Sequence, residues 1–346
     1  MCCYSNPLMA LQQLPETPAT SSFHYRKPVK GSLVWWLRFF GVVAFVIVLL
    51  RLPRAQEVQL SRIDLRWLGF CMLLTILQLL LETSVWQFLL SAQRIRHPYP
   101  KTVLVYLASQ YLGLVTPGHV GEFLAAGYIS MDTGITFGYA LSSVVMKKML
   151  AWVTVMSFGI WGVQLLAQIP LRQGVQWVIL ASGVVVIAFS AGISLWVVSL
   201  RRLAHKWQKL SPWQIDMTEF WSGIRHLMSL RLVIPLGISA LAFSLLFLQL
   251  DAVLHALGLT LSIGLVAKIV AFSRIVARVI PISVVGFGSK DAAVIGMLTR
   301  HGVNPSVGLT AILLWLVCSY LVTLLLSGLC WWIKPLVIRR AALPSS

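Results

Sequence analysis

Long runs of apolar residues alternate with short basic connections along most of the chain. About 20 apolar residues in helical form cross the hydrocarbon core of a bilayer, which is about 30 Å thick. The pattern therefore predicts an all-α polytopic membrane protein. Six uninterrupted spans are predicted, at 33–50, 67–90, 139–166, 175–200, 232–257 and 307–332.

Two further apolar segments, 102–129 and 263–300, are interrupted in the middle by proline, glycine and charged residues. An interruption exposed to lipid would leave backbone N–H and C=O groups unpaired, so it must be covered by protein or line a wet cavity. We therefore expect two re-entrant hairpins, each entering and leaving on one side; eight plain spans with kinks are the alternative. Paired interrupted segments in two halves of a membrane protein also indicate a transport site.

The basic connections predict the orientation, because positively charged loops remain on the cytoplasmic side. With both termini in the cytosol, the basic segments 94–101 and 201–231 and the C-terminal tail all lie inside, and only 51–66 disagrees. Aromatic and basic residues in 201–231 predict an amphipathic helix on the membrane surface. The predicted organisation is a polar tail at 1–30, a membrane domain at 31–335 and a cytosolic tail at 336–346.

Each half of this arrangement reads span, span, hairpin, span. Three crossings per half are an odd number, so the halves 33–166 and 175–332 are predicted to form an inverted-topology repeat. Such repeats are typical of alternating-access carriers.

Composition excludes a soluble protein, since 58% of the 346 residues are hydrophobic and 11% are charged. The net charge of +18 indicates contact with anionic lipid headgroups and not with nucleic acid, because most basic residues flank the spans. The five cysteines lack a metal-ligand spacing, and no metal or cofactor is expected. The first thirty residues lack the apolar region of a cleavable signal peptide, so the first span is expected to act as the anchor.

Basic residues at membrane depth point to an anionic ligand. A charged side chain at the centre of a spanning helix costs about 2.5–3.5 kcal/mol, so such residues must snorkel, pair or line an aqueous cavity. Acidic partners are scarce, and a surplus of positive charge facing a cavity favours a phosphate. The basic residues concerned are Lys147, Lys148, Lys268, Arg274, Arg278 and Lys290.

The interruptions add glycines and helix N-termini, which present free N–H groups to anions. The predicted substrate-binding residues, none of them catalytic, are Pro117, Gly118, Gly121, Glu122, Lys147, Lys148, Arg274, Arg278, Pro281, Ser283, Gly286, Gly288, Lys290 and Asp291. In this prediction the two hairpins together enclose one central cavity.

Two motifs give the chain a family resemblance. Pro117-Gly118-x-x-Gly121-Glu122, followed about 25 residues later by a charged pair in an apolar helix, resembles the first signature of the lysylphosphatidylglycerol synthase transmembrane region, or flippase-like, family. The second motif resembles the family pattern P-x-S-x-G-G-x-G-x-[RK]-[ED]-A. It reads Pro281-x-Ser283-x-x-Gly286-x-Gly288-x-Lys290-Asp291-Ala292.

The resemblance covers about residues 33–335 and implies lipid translocation without catalysis. The chain stops about a dozen residues after the last predicted span, so the synthase domain of the bifunctional members is expected to be absent. Lys147, Lys148 and Ala151 depart from the family pattern, in which many members have Glu-Arg and a following Asp. This departure favours an anionic headgroup over an aminoacylated one. In the second motif, Val285 stands where the family usually has a glycine, which is a minor departure.

The predicted function is therefore a flippase in a bacterial inner membrane that moves an anionic phospholipid or a lipid-linked intermediate. Two alternatives remain: a membrane-embedded transferase, and a partner of lipid-synthesis enzymes that does not itself transport. Membrane lipids are the expected partners.

Overall fold

The computed structural model describes residues 63–167, 217–228, 232–279, 283–284 and 287–335. The predicted spans at 33–50 and 175–200, both tails and most of the connection 201–231 lie outside the described residues.

The described chain is almost entirely helical. The helices are α1 Leu65–Ala92, α2 Tyr99–Val115, α3 Ala125–Thr133, α4 Phe137–Ala167, α5 Met217–Leu227, α6 Val233–Ala256, α7 Ile263–Val279, α8 Ser289–Arg300, α9 Pro305–Leu316 and α10 Val322–Ile333. A 3₁₀ helix, Pro117–Leu124, joins α2 to α3, and a π-helical turn, Val317–Leu321, joins α9 to α10. Two short strands, β1 Ser283–Val284 and β2 Phe287–Gly288, lie between α7 and α8.

Four of these helical stretches are long and apolar enough to cross a membrane: Leu65–Ala92, Phe137–Val163, Val233–Ala256 and Pro305–Ile333. They coincide with the predicted spans at 67–90, 139–166, 232–257 and 307–332. The protein is thus an all-helical, multi-pass membrane protein, as the apolar pattern predicted.

The first interruption is a true break in the helix. The α2 helix ends at Val115, because Thr116 has an extended backbone (φ −96°, ψ 139°) and Pro117 starts a 3₁₀ helix. This 3₁₀ helix folds back along α2, where the Gly121 N–H donates to the Thr116 Oγ1 at 2.8 Å. The polypeptide therefore reverses direction here and does not continue as one rod.

The second interruption contains a feature that the sequence did not predict. Ser283 pairs with Gly288 and Val284 pairs with Phe287 in an antiparallel ladder. The α8 helix starts directly after this β-hairpin and packs back against α7. The Asp291 carboxylate accepts the Gly288 N–H at 2.8 Å and holds the strand to the helix.

The α1 and α6 helices form the most extensive contact between helices and run antiparallel. At one end of the pair, the Asp64 N–H donates to the Ala256 carbonyl at 3.1 Å. Nearby, the rings of Trp67 and His255 lie 4.8 Å apart. Because α1 and α6 hold equivalent places in the two predicted halves, their antiparallel packing is the relation expected of an inverted repeat.

Left-handed backbone positions recur at matched spacings in the two halves. Arg94 (φ 60°) and Gly258 (φ 74°) are 164 positions apart, as are Pro117 and Pro281. Gly134 (φ 75°) and Gly302 (φ 84°) precede α4 and α9 and are 168 positions apart. These left-handed residues thus recur at similar spacings in the two predicted halves.

Helix packing follows the same correspondence. Gly159 of α4 faces Ile275 of α7, whereas Gly328 of α10 faces Tyr111 of α2, and an added Cβ at Gly328 would lie 3.6 Å from the Tyr111 ring. Tyr111 and Ile275 are again 164 positions apart. Small residues at these crossings let the backbones approach closely, as is typical in membranes.

The described end of the connection 201–231 packs on the protein. In α5, Phe220, Ile224 and Leu227 are buried and belong to the core formed with α1, α2 and α4. Gly223 lies close to Ser142 of α4. The apolar face of this described segment therefore contacts α4, and the position of the connection at the membrane surface stays a prediction.

Candidate functional site

The centre of the membrane-spanning region contains charged side chains from both α1 and α4. Lys147 and Lys148 lie ten and eleven residues after Phe137, near the middle of a 27-residue apolar stretch. Glu82 lies 17 residues after Leu65, within the other spanning helix. Charges at this depth cost about 2.5–3.5 kcal/mol each when they face lipid, so their pairing determines whether the fold is stable.

Lys147 is bound by an acidic and an aromatic side chain. Its Nζ lies 3.7 Å from Glu82 Oε2 and 3.7 Å from the centroid of the Tyr106 ring. The Tyr106 hydroxyl donates to Glu82 Oε2 at 2.5 Å, and Gln78 Nε2 donates to Glu82 Oε1 at 3.1 Å. One ammonium, one phenol and one amide thus hold a single carboxylate.

Lys148 is bound by a different carboxylate, which comes from the first interruption. It forms an ion pair and hydrogen bond with Glu122 Oε2, to which Gln110 Nε2 also donates at 3.3 Å. The Glu122 side chain is 12% exposed and packs beside Gly113, where an added Cβ would overlap its side chain. The fold of the 3₁₀ helix against α2 therefore sets the position of the Glu122 carboxylate.

A small pocket opens onto both ion pairs. Its volume of about 20 Å³ holds one or two waters, which is too little for a phosphate headgroup. The lining residues are Trp86, Tyr106, Ser109, Gln110, Glu122, Ala125, Val144, Lys147 and Lys148.

The formal charge of this first cluster is zero, because two lysines face two glutamates. The sequence predicted a surplus of positive charge here. The difference arises because Glu82, 65 positions before Lys147, reaches the cluster through the packing of α1 on α4. Charge balance at membrane depth is what permits two adjacent lysines in an apolar helix.

A second charged cluster lies where α7, α8 and α9 meet. The Arg274 guanidinium is 5.7 Å from the centroid of the Trp315 ring. Its positive charge repels that of Lys290. Lys290 Nζ lies 3.8 Å from Asp291 Oδ1, and Asp291 is buried. These three side chains carry a net charge of +1.

A line of hydrogen bonds joins the two clusters through the α1–α6 contact. Gln249 Nε2 donates to Gln78 Oε1 at 2.8 Å, and Trp315 Nε1 donates to Gln249 Oε1 at 3.2 Å. Gln78 in turn holds Glu82 of the first cluster, and Trp315 contacts Arg274 of the second. The two clusters are therefore connected by polar groups across the centre of the protein.

The predicted site residues thus form two groups. The first interruption supplies Glu122 and Gly121 to the cluster around Lys147 and Lys148, and the second supplies Gly288, Lys290 and Asp291 to the cluster around Arg274. The hairpins belong largely to separate hydrophobic cores, and packing between them is not extensive in the described part of the chain. Pro281 and Gly286 lie outside the described residues. For Pro117, Gly118, Arg278 and Ser283 the structure describes the backbone alone.

Two predicted site residues have structural contacts of their own. Gly121 lies against the carbonyl group of Leu112, with no space for a side chain. Asp291 accepts the Gly288 N–H at the start of α8, so an internal carboxylate already lies at this helix N-terminus.

Sequence reasoning missed Glu82, Tyr106, Gln110 and Gln78 as members of the site. Glu82 had one usable signal, because it is the single acidic residue within the apolar α1 helix. The other three are neutral polar residues, which occur in many spanning helices without a ligand. Their place in the site depends on helix packing that the pattern does not specify.

A third polar group lies outside the spanning segments. Asp132 Oδ2 accepts from Lys334 and lies 3.1 Å from His97 Nε2. His97 Nδ1 lies 2.8 Å from Thr102 Oγ1, and the imidazole is buried. Partial burial raises the pKa of Asp132, but Lys334 and His97 more than offset this and hold that pKa below its ordinary value of 3.8. This group ties the end of α10 to α2 and α3.

Within the residues that the structure describes, no group of three or more His, Cys, Asp or Glu side chains could hold a metal ion. The site therefore offers lysine, glutamate, tyrosine and glutamine side chains. Of these groups, the lysine, tyrosine and glutamine side chains can donate hydrogen bonds to a phosphate, whereas the glutamates repel an anion.

Comparison with known proteins gives one result. No curated protein and no solved structure shows a significant match. A family model described as the lysylphosphatidylglycerol synthase TM region matches residues 35–327, which cover most of the chain and both interruptions. The chain belongs to the lysylphosphatidylglycerol synthase transmembrane region family.

Proposed function

We propose that the chain is a lipid carrier, which moves a lipid with an anionic phosphate headgroup across a bacterial inner membrane. The observation that carries this proposal is the cluster of Lys147, Lys148, Glu82 and Glu122 at the middle of two spanning helices. Ion pairs in hydrocarbon are costly to assemble and are expected where a polar substrate passes. Membership of a family linked to lipid synthesis or transport supports the same function.

The matched breaks support an alternating-access mechanism. We infer six spans and two re-entrant hairpins in an inverted repeat with both termini in the cytosol. The 164-position spacing of Arg94 with Gly258 and of Tyr111 with Ile275 supports this repeat. In such a mechanism the protein alternates between a form open to one side of the membrane and a form open to the other. Each charged cluster would then be exposed to the two sides in turn.

The lysines are proposed to bind the phosphate after leaving their carboxylates. A phosphodiester can replace Glu122 as the partner of Lys148, because both are oxygen anions that accept charge-assisted hydrogen bonds. Arg274 and Lys290, with a net positive charge around them, would form the second contact along the path. The narrow pocket means that this exchange requires movement of the first hairpin.

The test is lipid movement in vesicles that contain the purified protein. Two fluorescent probes, phosphatidylglycerol and a short polyprenyl phosphate, are placed in phosphatidylcholine vesicles, and the fraction accessible to a membrane-impermeant quencher is followed. Lys148→Gln and Arg274→Gln are each expected to slow movement about tenfold or more, since a charge-assisted hydrogen bond contributes about 1.5–3 kcal/mol. Lys101→Gln, at an exposed site at the start of α2, is the matched control and keeps the wild-type rate.

Protein-dependent movement of neither probe would contradict the proposal. If the protein instead modified a lipid without moving it, a transferase would be the better description. If it only bound lipid-synthesis enzymes, a role as a partner of those enzymes would be the better description.

A further inference from the structure

The first cluster contains equal numbers of positive and negative charges, and this balance constrains what happens when an anion enters. Lys147 faces Glu82 at 3.7 Å, and Lys148 is paired with Glu122. A phosphodiester adds one negative charge. Without compensation, a buried carboxylate would lose its partner at a depth where an unpaired charge costs several kcal/mol.

A displaced carboxylate in such a place avoids this cost by taking up a proton. We propose that one proton enters with each anionic headgroup and is held on Glu122, so the protein is a proton-coupled lipid carrier. This inference deepens the proposed function and depends on it. It assigns to Glu122 a role in energy coupling that is separate from contact with the lipid.

The step is balanced in charge and in atoms. The lipid phosphate takes the place of the Glu122 carboxylate at the Lys148 ammonium, and the freed carboxylate takes one proton from water on the side to which the pocket is open. The cluster carries no net charge before or after this step. On the opposite side the phosphate leaves, the carboxyl group returns its proton to water, and the Lys148–Glu122 ion pair forms again.

Glu122 fits this role better than Glu82. Its side chain is 12% exposed, against 34% for Glu82, so less water can stabilise its charge when its lysine partner leaves. Glu82 also keeps two hydrogen-bond donors, Tyr106 and Gln78, which stabilise its charged form. Glu122 is also the carboxylate paired with Lys148, the lysine that is proposed to bind the phosphate.

The neighbours of Glu122 can hold both of its protonation states. Gln110 Nε2 donates to Glu122 Oε2 at 3.3 Å, and an amide also has an oxygen that can accept from a protonated carboxyl group. Among the side chains that the structure describes, the charged and titratable groups that face Glu122 include Lys148 and Lys147 of α4 and Tyr106 of α2. Glu82 of α1 lies beyond Lys147. Both lysines are cations, so neither can act as the proton acceptor while it binds phosphate.

The first experiment measures proton uptake on binding, without transport. Short-chain phosphatidylglycerol is added to the purified full-length protein in weakly buffered detergent solution that contains a pH-indicator dye, and binding is followed by calorimetry. We expect uptake of about one proton per bound lipid, because one carboxylate changes its protonation state. In Glu122→Gln, the protons taken up per bound lipid are expected to fall to near zero.

The second experiment measures the ratio of protons to lipids in vesicles that contain an internal pH dye and fluorescent phosphatidylglycerol. Acidification of the vesicle interior that accompanies inward lipid movement supports the proposal. Accumulation of the lipid in response to an imposed pH gradient supports it as well. In Glu122→Gln, the lipid movement that remains is expected to carry few protons. The matched control is Asp251→Asn, which removes a carboxylate that pairs locally with His255 in α6 and is expected to keep the wild-type ratio.

The outcomes separate the two proposals. Lipid movement and binding without protons in the wild-type protein overturn proton coupling and leave the carrier function intact. An unchanged proton ratio in Glu122→Gln shows that Glu122 does not hold the proton. Absence of lipid binding and movement overturns the carrier function, and the coupling with it.

Discussion

Gly121 lies directly against the carbonyl group of Leu112, so the 3₁₀ helix after Pro117 contacts α2 backbone to backbone. A methyl group at this position would overlap that carbonyl and approach the Gly113 nitrogen to 2.8 Å. Because both obstacles are backbone atoms, they cannot move aside without separating the two segments.

We therefore predict that Gly121→Ala destabilises the protein by about 1–3 kcal/mol, as overpacking does in other interiors. Thermal unfolding in detergent measures the change. The control is Gly296→Ala in the middle of α8, where an added Cβ meets nothing within 4 Å and alanine favours the helix. Equal unfolding temperatures for the two variants would show that the close approach is not rigid.

The hydrogen bond between Gln78 and Gln249 is predicted to link the two charged clusters energetically. Each single replacement by leucine leaves one polar atom of the remaining amide, Gln78 Oε1 or Gln249 Nε2, without this hydrogen bond and costs about 1–3 kcal/mol. Because the amides pair with each other, the double variant should cost less than the two single variants together, with a coupling of about 0.5–3 kcal/mol. Unfolding of the four proteins in a double-mutant cycle measures this coupling, and strict additivity would contradict it.

Asp132 is predicted to make stability depend on pH at acidic values. Lys334 and His97 hold the pKa of its carboxyl group below the ordinary 3.8, so the folded state binds this proton less readily than the unfolded state. The stabilisation is present above the unfolded-state pKa of about 3.9 and is lost as the pH falls through the lower folded-state value.

Asp132→Asn tests this directly. The difference in unfolding temperature between the wild type and the variant should stay constant above about pH 5 and shrink below about pH 4. A difference that grows on acidification would have the wrong sign for a carboxylate with a lowered pKa.

Tyr106 is predicted to stabilise the fold through its hydroxyl group and not only through its ring. Tyr106→Phe keeps the aromatic face 3.7 Å from Lys147 but removes the donor to Glu82. Because hydrogen bonds to charged groups contribute about 1.5–3 kcal/mol, the unfolding free energy should fall by a similar amount. In Tyr320→Phe the change should be small, since the described residues include no hydrogen bond to the Tyr320 hydroxyl. Similar losses in both variants would assign the effect to packing alone.

The sequence was sufficient for the four spanning helices that the structure describes and for the positions of the two breaks, because both follow from local chemistry. Apolar runs predict spans, and Pro117 ends α2 as its missing N–H and fixed φ require. The β-hairpin at Ser283–Gly288 was not foreseen, since two residues per strand leave no alternating pattern to read.

The composition of the site was harder to foresee than its position. The lysines at 147 and 148 stood out as charges in an apolar helix, but their partners come from α1 and from the first break, 65 and 26 positions away. Pairings of that kind depend on which helix faces which neighbour. A single sequence places charges along the chain and does not determine how they combine in space.

The packing of α4 on α7 corresponds to that of α10 on α2, and this correspondence bears on direction. When two half-structures are interchangeable, the shapes open to either side have similar free energies, and neither is preferred by the protein itself. The carrier that we propose would then be reversible, with the combined gradients of lipid and protons setting its direction. Any net flow between the membrane faces then reflects where the cargo is produced, where it is consumed, and which face is more acidic.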